Sequence, residues 1–185
     1  MKLVNLFLGR LPDRKSILNV YAVIVVLVYS WTLFTSFYKL PSWMFYLTIG
    51  QIISVYAYAF SIDLLESLIA LAAVLVLNLT IFLPIKNKDE FQSRSIILTV
   101  ILLGTSMLRL GLFQTYEDIN EFLRGETLWW SISIVLGLTL SIFAPKIQIV
   151  RNILEGFAER ATVLVYIYIP LSILSLIVVL VRNIG

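Results

Sequence analysis

The chain has 185 residues, of which 60% are hydrophobic and 14% charged, with 14 Lys and Arg against 11 Asp and Glu. That apolar share exceeds the roughly 45–50% of soluble domains, and with a mean hydropathy of +0.97 it reads as an integral membrane protein whose first partner is the lipid bilayer. There is no cysteine and no histidine, which excludes disulfides, thiolate nucleophiles, iron–sulfur ligation and histidine ligation of metals or haem.

The apolar stretch from Leu3 to Leu8 is shorter than the run of about 7–15 residues a signal peptide needs, so it reads as retained. Two readings of residues 1–15 stay open. One is an interfacial helix with Leu3, Leu6, Phe7 and Leu11 on one side, and the other is a basic tail carrying Lys2, Arg10, Arg14 and Lys15. From residue 16 to 185 the chain reads as a single transmembrane helical domain. A hydrocarbon core of about 30 Å takes about 20 apolar residues per helix, and the first span, 16–38, meets this before Lys39 and Pro41 close it.

Between residues 40 and 85 the charged side chains are Asp63 and Glu66. As one helix the apolar tract 43–85 would be about 64 Å long, twice the hydrocarbon thickness, so it is expected to fold back near its midpoint. The predicted bend is Ser61–Glu66, giving spans 43–61 and 64–84. Asp63-Leu-Leu-Glu66 has the spacing of a capping box that would open the second of them. Pro84 closes that span, and 86–94 is a polar loop. The fourth span, 95–113, contains Arg109. In 114–127, Tyr116, Ile119, Phe122 and Leu123 recur at helical spacing, which predicts a short surface helix stopped at Gly125. The fifth span, 128–144, opens with Trp129 and Trp130 and ends at Pro145. Ile147, Val150, Leu154 and Phe157 then form the apolar stripe of an interfacial helix, followed by a sixth span, 161–181, with Pro170 inside it.

The predicted fold class is therefore all-α: a polytopic membrane helix bundle of six transmembrane helices with short amphipathic interfacial helices. Six crossings place both termini on one face and divide the basic residues seven to seven. The basic residues ahead of the first span then favour cytoplasmic termini. Five spans, or a re-entrant pair over 43–85, remain open, because losing one crossing gathers ten basic residues on one face against four on the other.

Arg109 falls on the same predicted face as Asp63 and Glu66, which makes the three a candidate site for an ion or polar ligand. The competing reading is structural, with Asp63 as a helix cap and Glu66 in its first turn. Gln51, Ser54, Tyr58 and Ser61 form a polar stripe leading toward Asp63, and such a stripe either lines a water path or holds helices together. Ser133, Gly137 and Ser141, spaced by four, and Gly104 and Gly111, spaced by seven, read as helix-packing surfaces. Asn78 is placed to bond across helices.

No HExxH, GxSxG or phosphate-loop motif occurs. The expectation is a protein without catalytic machinery or cofactor and without nucleic acid as a partner. Its expected role is a structural or accessory subunit of a larger membrane assembly, with a membrane-protein partner or a second copy as the candidate contact. The alternative is a small permease or channel along Gln51, Ser54, Tyr58, Asp63 and Arg109. A lipid-modifying enzyme using Asp63 or Glu66 as base ranks below both.

Overall fold

The computed structural model describes residues 12–81, 90–112 and 119–184. The basic segment up to residue 11, the expected close of a span at Pro84, residues 86–89 of the 86–94 loop and residues 113–118 of the expected surface helix lie outside the described residues. Among the described residues the protein is an all-α bundle of five long helices: α1 Arg14–Tyr46, α2 Ile49–Ile81, α3 Phe91–Leu112, α4 Ile119–Phe143 and α5 Gln148–Ile184. All five are long and apolar enough to cross a membrane. A 3-10 turn, Ala144–Lys146, links α4 to α5 and carries Pro145, so the stop expected at that proline is observed.

The predicted bend at Ser61–Glu66 is absent. Helix α2 runs through it without interruption, and Ser61 Oγ bonds back to the Ala57 carbonyl at 2.8 Å inside the helix. The physical reason is legible afterwards. Residues 51–83 contain neither glycine nor proline, so nothing in them favours a break. The chain turns earlier, at Leu47–Thr48. Helix α1 continues past Lys39 and Pro41 to Tyr46, because proline removes one backbone bond without forcing the helix to end so near its terminus. The turn has its own capping box: Thr48 N and Oγ1 donate to Gln51 Oε1 at 2.8 and 3.1 Å, and Gln51 N donates back to Thr48 Oγ1 at 3.4 Å. Of the two span counts the sequence left open, the structure has five long helices.

Two further boundaries shift. Gly125 lies inside α4 and does not end a helix, and the expected interfacial helix at 146–160 is the first part of α5, continuous with the span after it. At 33 residues, α1 and α2 reach about 50 Å, and α5 about 55 Å, all longer than a hydrocarbon core of about 30 Å.

Helix α1 occupies the centre. Val20, Ala22, Val23, Ile24, Val25 and Tyr29 are fully buried, and burial of four consecutive residues means this stretch of the helix is covered on all sides. It contacts α2, α3 and α5, while α4 packs outside, against α3. Side-chain pairs give the directions. Lys15–Glu159 and Tyr29–Ser172 show that α1 and α5 run parallel, and Thr32–Asp63 joins the antiparallel hairpin of α1 and α2. Asn78 Nδ2 bonds Ser95 Oγ of α3 at 3.1 Å, the crossing expected of it.

The small residues divide by what they meet. Ser133 and Ser141 are buried, and a Cβ at Gly137 would lie 3.5 Å from Leu98 and 3.6 Å from Ile101, so this stripe is the face of α4 that packs on α3. A Cβ at Gly111 would approach the Trp31 ring to 3.1 Å, whereas one at Gly104 would meet nothing within 4 Å. Gly137→Ala should therefore be neutral or stabilise by up to about 1 kcal/mol through helix propensity. Gly137→Leu should destabilise by about 1–3 kcal/mol by wedging α3 from α4. Thermal unfolding in mild detergent separates the two outcomes.

Candidate functional site

Where α1 is covered by its neighbours, its buried polar side chains need a partner, on another helix or in a carbonyl of α1 itself. Tyr21, Tyr29, Thr32 and Ser36 lie within one broad face of α1, about 22 Å from end to end by helical rise. Tyr21 Oη lies 3.3 Å from Ser67 Oγ of α2, and Tyr29 Oη lies 2.6 Å from Ser172 Oγ of α5. Thr32 Oγ1 donates to Asp63 Oδ1 at 2.8 Å. Ser36 bonds to the Leu33 carbonyl of its own helix. The Tyr29 ring stacks on Tyr168 at 4.7 Å and lies 5.7 Å from Phe60, so aromatic surface closes the junction of α1, α2 and α5.

Asp63 is the chemically distinctive member. It is 3% exposed, and its second carboxylate oxygen, Oδ2, is buried with no hydrogen-bond partner among the described residues. It sits in the middle of α2 and caps nothing, which corrects the capping-box expectation. Glu66, one turn on, is exposed.

The predicted grouping of Asp63, Glu66 and Arg109 does not form. Arg109, 8% exposed, directs Nε and Nη2 to Glu126 Oε1 of α4 at 3.0 and 2.6 Å, and its guanidinium lies 5.2 Å from the Trp129 ring centre. The sequence assigned Glu126 to the end of a loop. The signal that points to it is register: α3 and α4 are antiparallel, so a charge near the end of one finds its partner near the start of the other. The predicted stripe also disperses. Gln51 closes the Thr48 cap, Ser54 bonds to the Gly50 carbonyl, and exposed Tyr58 accepts from Asn183 Nδ2 at 2.8 Å.

Thr32, Tyr29 and Ser172 were not singled out from the sequence. The usable signal for Thr32 is symmetry about the turn: Thr32 and Asp63 each lie fifteen residues from the Leu47–Thr48 turn, so an antiparallel hairpin brings them level. Compared with protein-family models, curated proteins and solved structures, the chain matches none.

The Arg109–Glu126 pair has side chains 9% and 10% exposed. Removing Glu126 takes two charge-assisted hydrogen bonds from a buried guanidinium, so Glu126→Ala should cost about 1.5–3 kcal/mol. Replacing both by apolar residues, Arg109→Met with Glu126→Leu, should recover most of it. A double-mutant cycle on unfolding stability measures the coupling.

Proposed function

We propose that the chain is a multi-pass integral membrane protein and a small permease, with a polar route along the α1 face of Tyr21, Tyr29, Thr32 and Ser36 and through Asp63. The observation that carries this reading is Asp63 itself, a carboxylate inside a bundle of membrane-length helices with one oxygen lacking a partner among the described residues. Ionisable residues held inside such bundles face the interior and mark ion or proton routes. The route differs from the one read from the sequence: Gln51, Ser54 and Tyr58 leave it, and hydroxyls of α1 take their place.

Five crossings also set an orientation. An odd number puts the termini on opposite faces. The N-terminal segment, the connection after α2 and the segment 144–160 then share one face, with ten of the fourteen Lys and Arg. By the positive-inside rule that face is cytoplasmic, which places the N-terminus inside and the C-terminus outside. Since the chain has no cysteine, single cysteines at Thr48 and Arg151 report this directly. An impermeant thiol reagent applied to intact cells should label position 48, and should label position 151 only after the membrane is opened. The reverse pattern would invert the orientation, and labelling of both from outside would remove the five-span topology.

The transport reading itself is tested in proteoliposomes with an entrapped pH dye. Proton permeability should rise above that of empty vesicles, fall to their level with Asp63→Asn and persist with Ser54→Ala. Permeability equal to empty vesicles, across a range of imposed pH gradients and potentials, would remove the reading.

An accessory-subunit role has a separate support. The outer side of α4 carries an open apolar groove of about 580 Å³ lined by Ser131, Ile132, Val135, Leu136, Thr139 and Leu140. The small-residue stripe lends this role nothing, since it packs on α3 within the chain. The lipid-modifying reading loses the geometry it needs, because Arg109 is engaged on α4 and not beside Asp63.

A further inference from the structure

We propose that Asp63 is a proton-binding site at the α1–α2–α5 junction, gaining and releasing one proton on Oδ2, and that the proton is what the polar route carries. Its role rests on the permease reading, whereas its chemistry stands on the junction alone.

The argument begins with charge balance. The Asp63 side chain is buried and, among the described residues, receives one hydrogen bond, from Thr32 Oγ1 at 2.8 Å. The groups around it from each helix are named readily. On α2 itself, Glu66 acts on Asp63 with a charge of the same sign. From α1 come Thr32 and the neutral phenol Tyr29, which is within electrostatic range. From α5 come Ser172 and Tyr168, the first bonded to Tyr29 and the second stacked on it. On α3, Arg109 directs its guanidinium to Glu126 of α4. None of these supplies a positive charge at the Asp63 carboxylate. An ionised carboxylate in apolar surroundings with one hydrogen bond carries a penalty of several kcal/mol, so the junction calls for a cation on Asp63.

The choice of cation follows from the ligands at hand. Hard metal cations such as calcium take about 6–8 oxygen ligands, and among the described residues the junction offers the two Asp63 oxygens and the hydroxyls of Thr32, Tyr29 and Ser172, the last two bonded to each other. A proton needs one lone pair, and Oδ2 has it. The exchange is a plain acid–base step. The O–H bond of the carboxylic acid breaks, the electron pair stays on Oδ2, and the proton passes to water; uptake reverses this. The hydroxyl pair of Tyr29 and Ser172 lies on the same face of α1 as Thr32, which makes hydroxyl groups the nearest continuation of the route.

The test is labelling by dicyclohexylcarbodiimide, an apolar reagent that adds to protonated carboxyl groups, on the full-length protein in lipid vesicles, with peptide mass spectrometry as readout. Asp63 should be modified at neutral pH and protected as the pH rises. A water-soluble carbodiimide should not reach it. The label should fall to background with Asp63→Asn and remain with Glu66→Gln. An infrared carbonyl band of a protonated carboxyl, lost in Asp63→Asn, reports the same state without chemical modification. Absence of both label and band at Asp63 overturns the proposal, as does modification confined to Glu66. Protection by sodium at fixed pH would assign the site to a metal cation and overturn it too. A labelled Asp63 in vesicles that conduct no protons leaves the binding site standing and removes the permease reading; conducting vesicles with an unreactive Asp63 do the opposite.

Discussion

Helix α1 is buried on every side between Asn19 and Tyr29, and the arrangement of the other helices answers that constraint. The buried part of a central helix in an apolar bundle has no water to satisfy its polar groups, so they find partners on a neighbour or in a carbonyl of the helix itself. Asn19 finds Gln92 of α3, Tyr21 finds Ser67 of α2, Tyr29 finds Ser172 of α5 and Thr32 finds Asp63 of α2. Interhelical bonds of this kind are worth about 0.6 kcal/mol each on average in membrane proteins. Their sum is modest, but each is made at one helix register only, and together they fix how three helices sit around α1. Stability comes mainly from packing, and the polar pairs select among packings.

The same constraint separates two kinds of buried charge. Arg109 and Glu126 neutralise one another across α3 and α4 with Trp129 alongside, and that pair is complete as a structural device. Asp63 has a hydroxyl for one oxygen and no described partner for the other. Burying a carboxylate on those terms makes sense for a group that exchanges charge, and this asymmetry concentrates the functional reading on one residue of the three the sequence proposed.

The wrong bend is instructive because its premises were sound. A tract of 43 residues is longer than one crossing needs, but only 43–48 belong to the end of α1 and the turn, and α2 carries 49–81 as one long helix; the signal of the turn, Thr48 to Gln51, has the same spacing as Asp63 to Glu66. Both pairs fit a capping box. What distinguishes them is what surrounds them: Gly50 and Pro41 flank the real turn, and an unbroken run of helix formers flanks the other. Losing the bend at 61–66 also changes the parity of the crossings, and with it the balance of basic residues between the faces.

The sequence by itself determined that the protein is helical, that its helices are long and apolar enough for a membrane, and that Pro145 ends one of them, and it singled out Asp63 and Arg109 among the charges that lie buried. These follow from composition and local spacing, because hydropathy and helix breaking are properties of neighbouring residues. The tertiary structure decided the partners: Glu126 for Arg109, Thr32 for Asp63, α3 for the stripe of Ser133, Gly137 and Ser141. In lipid-like surroundings the apolar faces of all helices resemble one another, so hydrophobicity does not say which face meets which. Register and crossing geometry do, and they exist only once the five helices are packed.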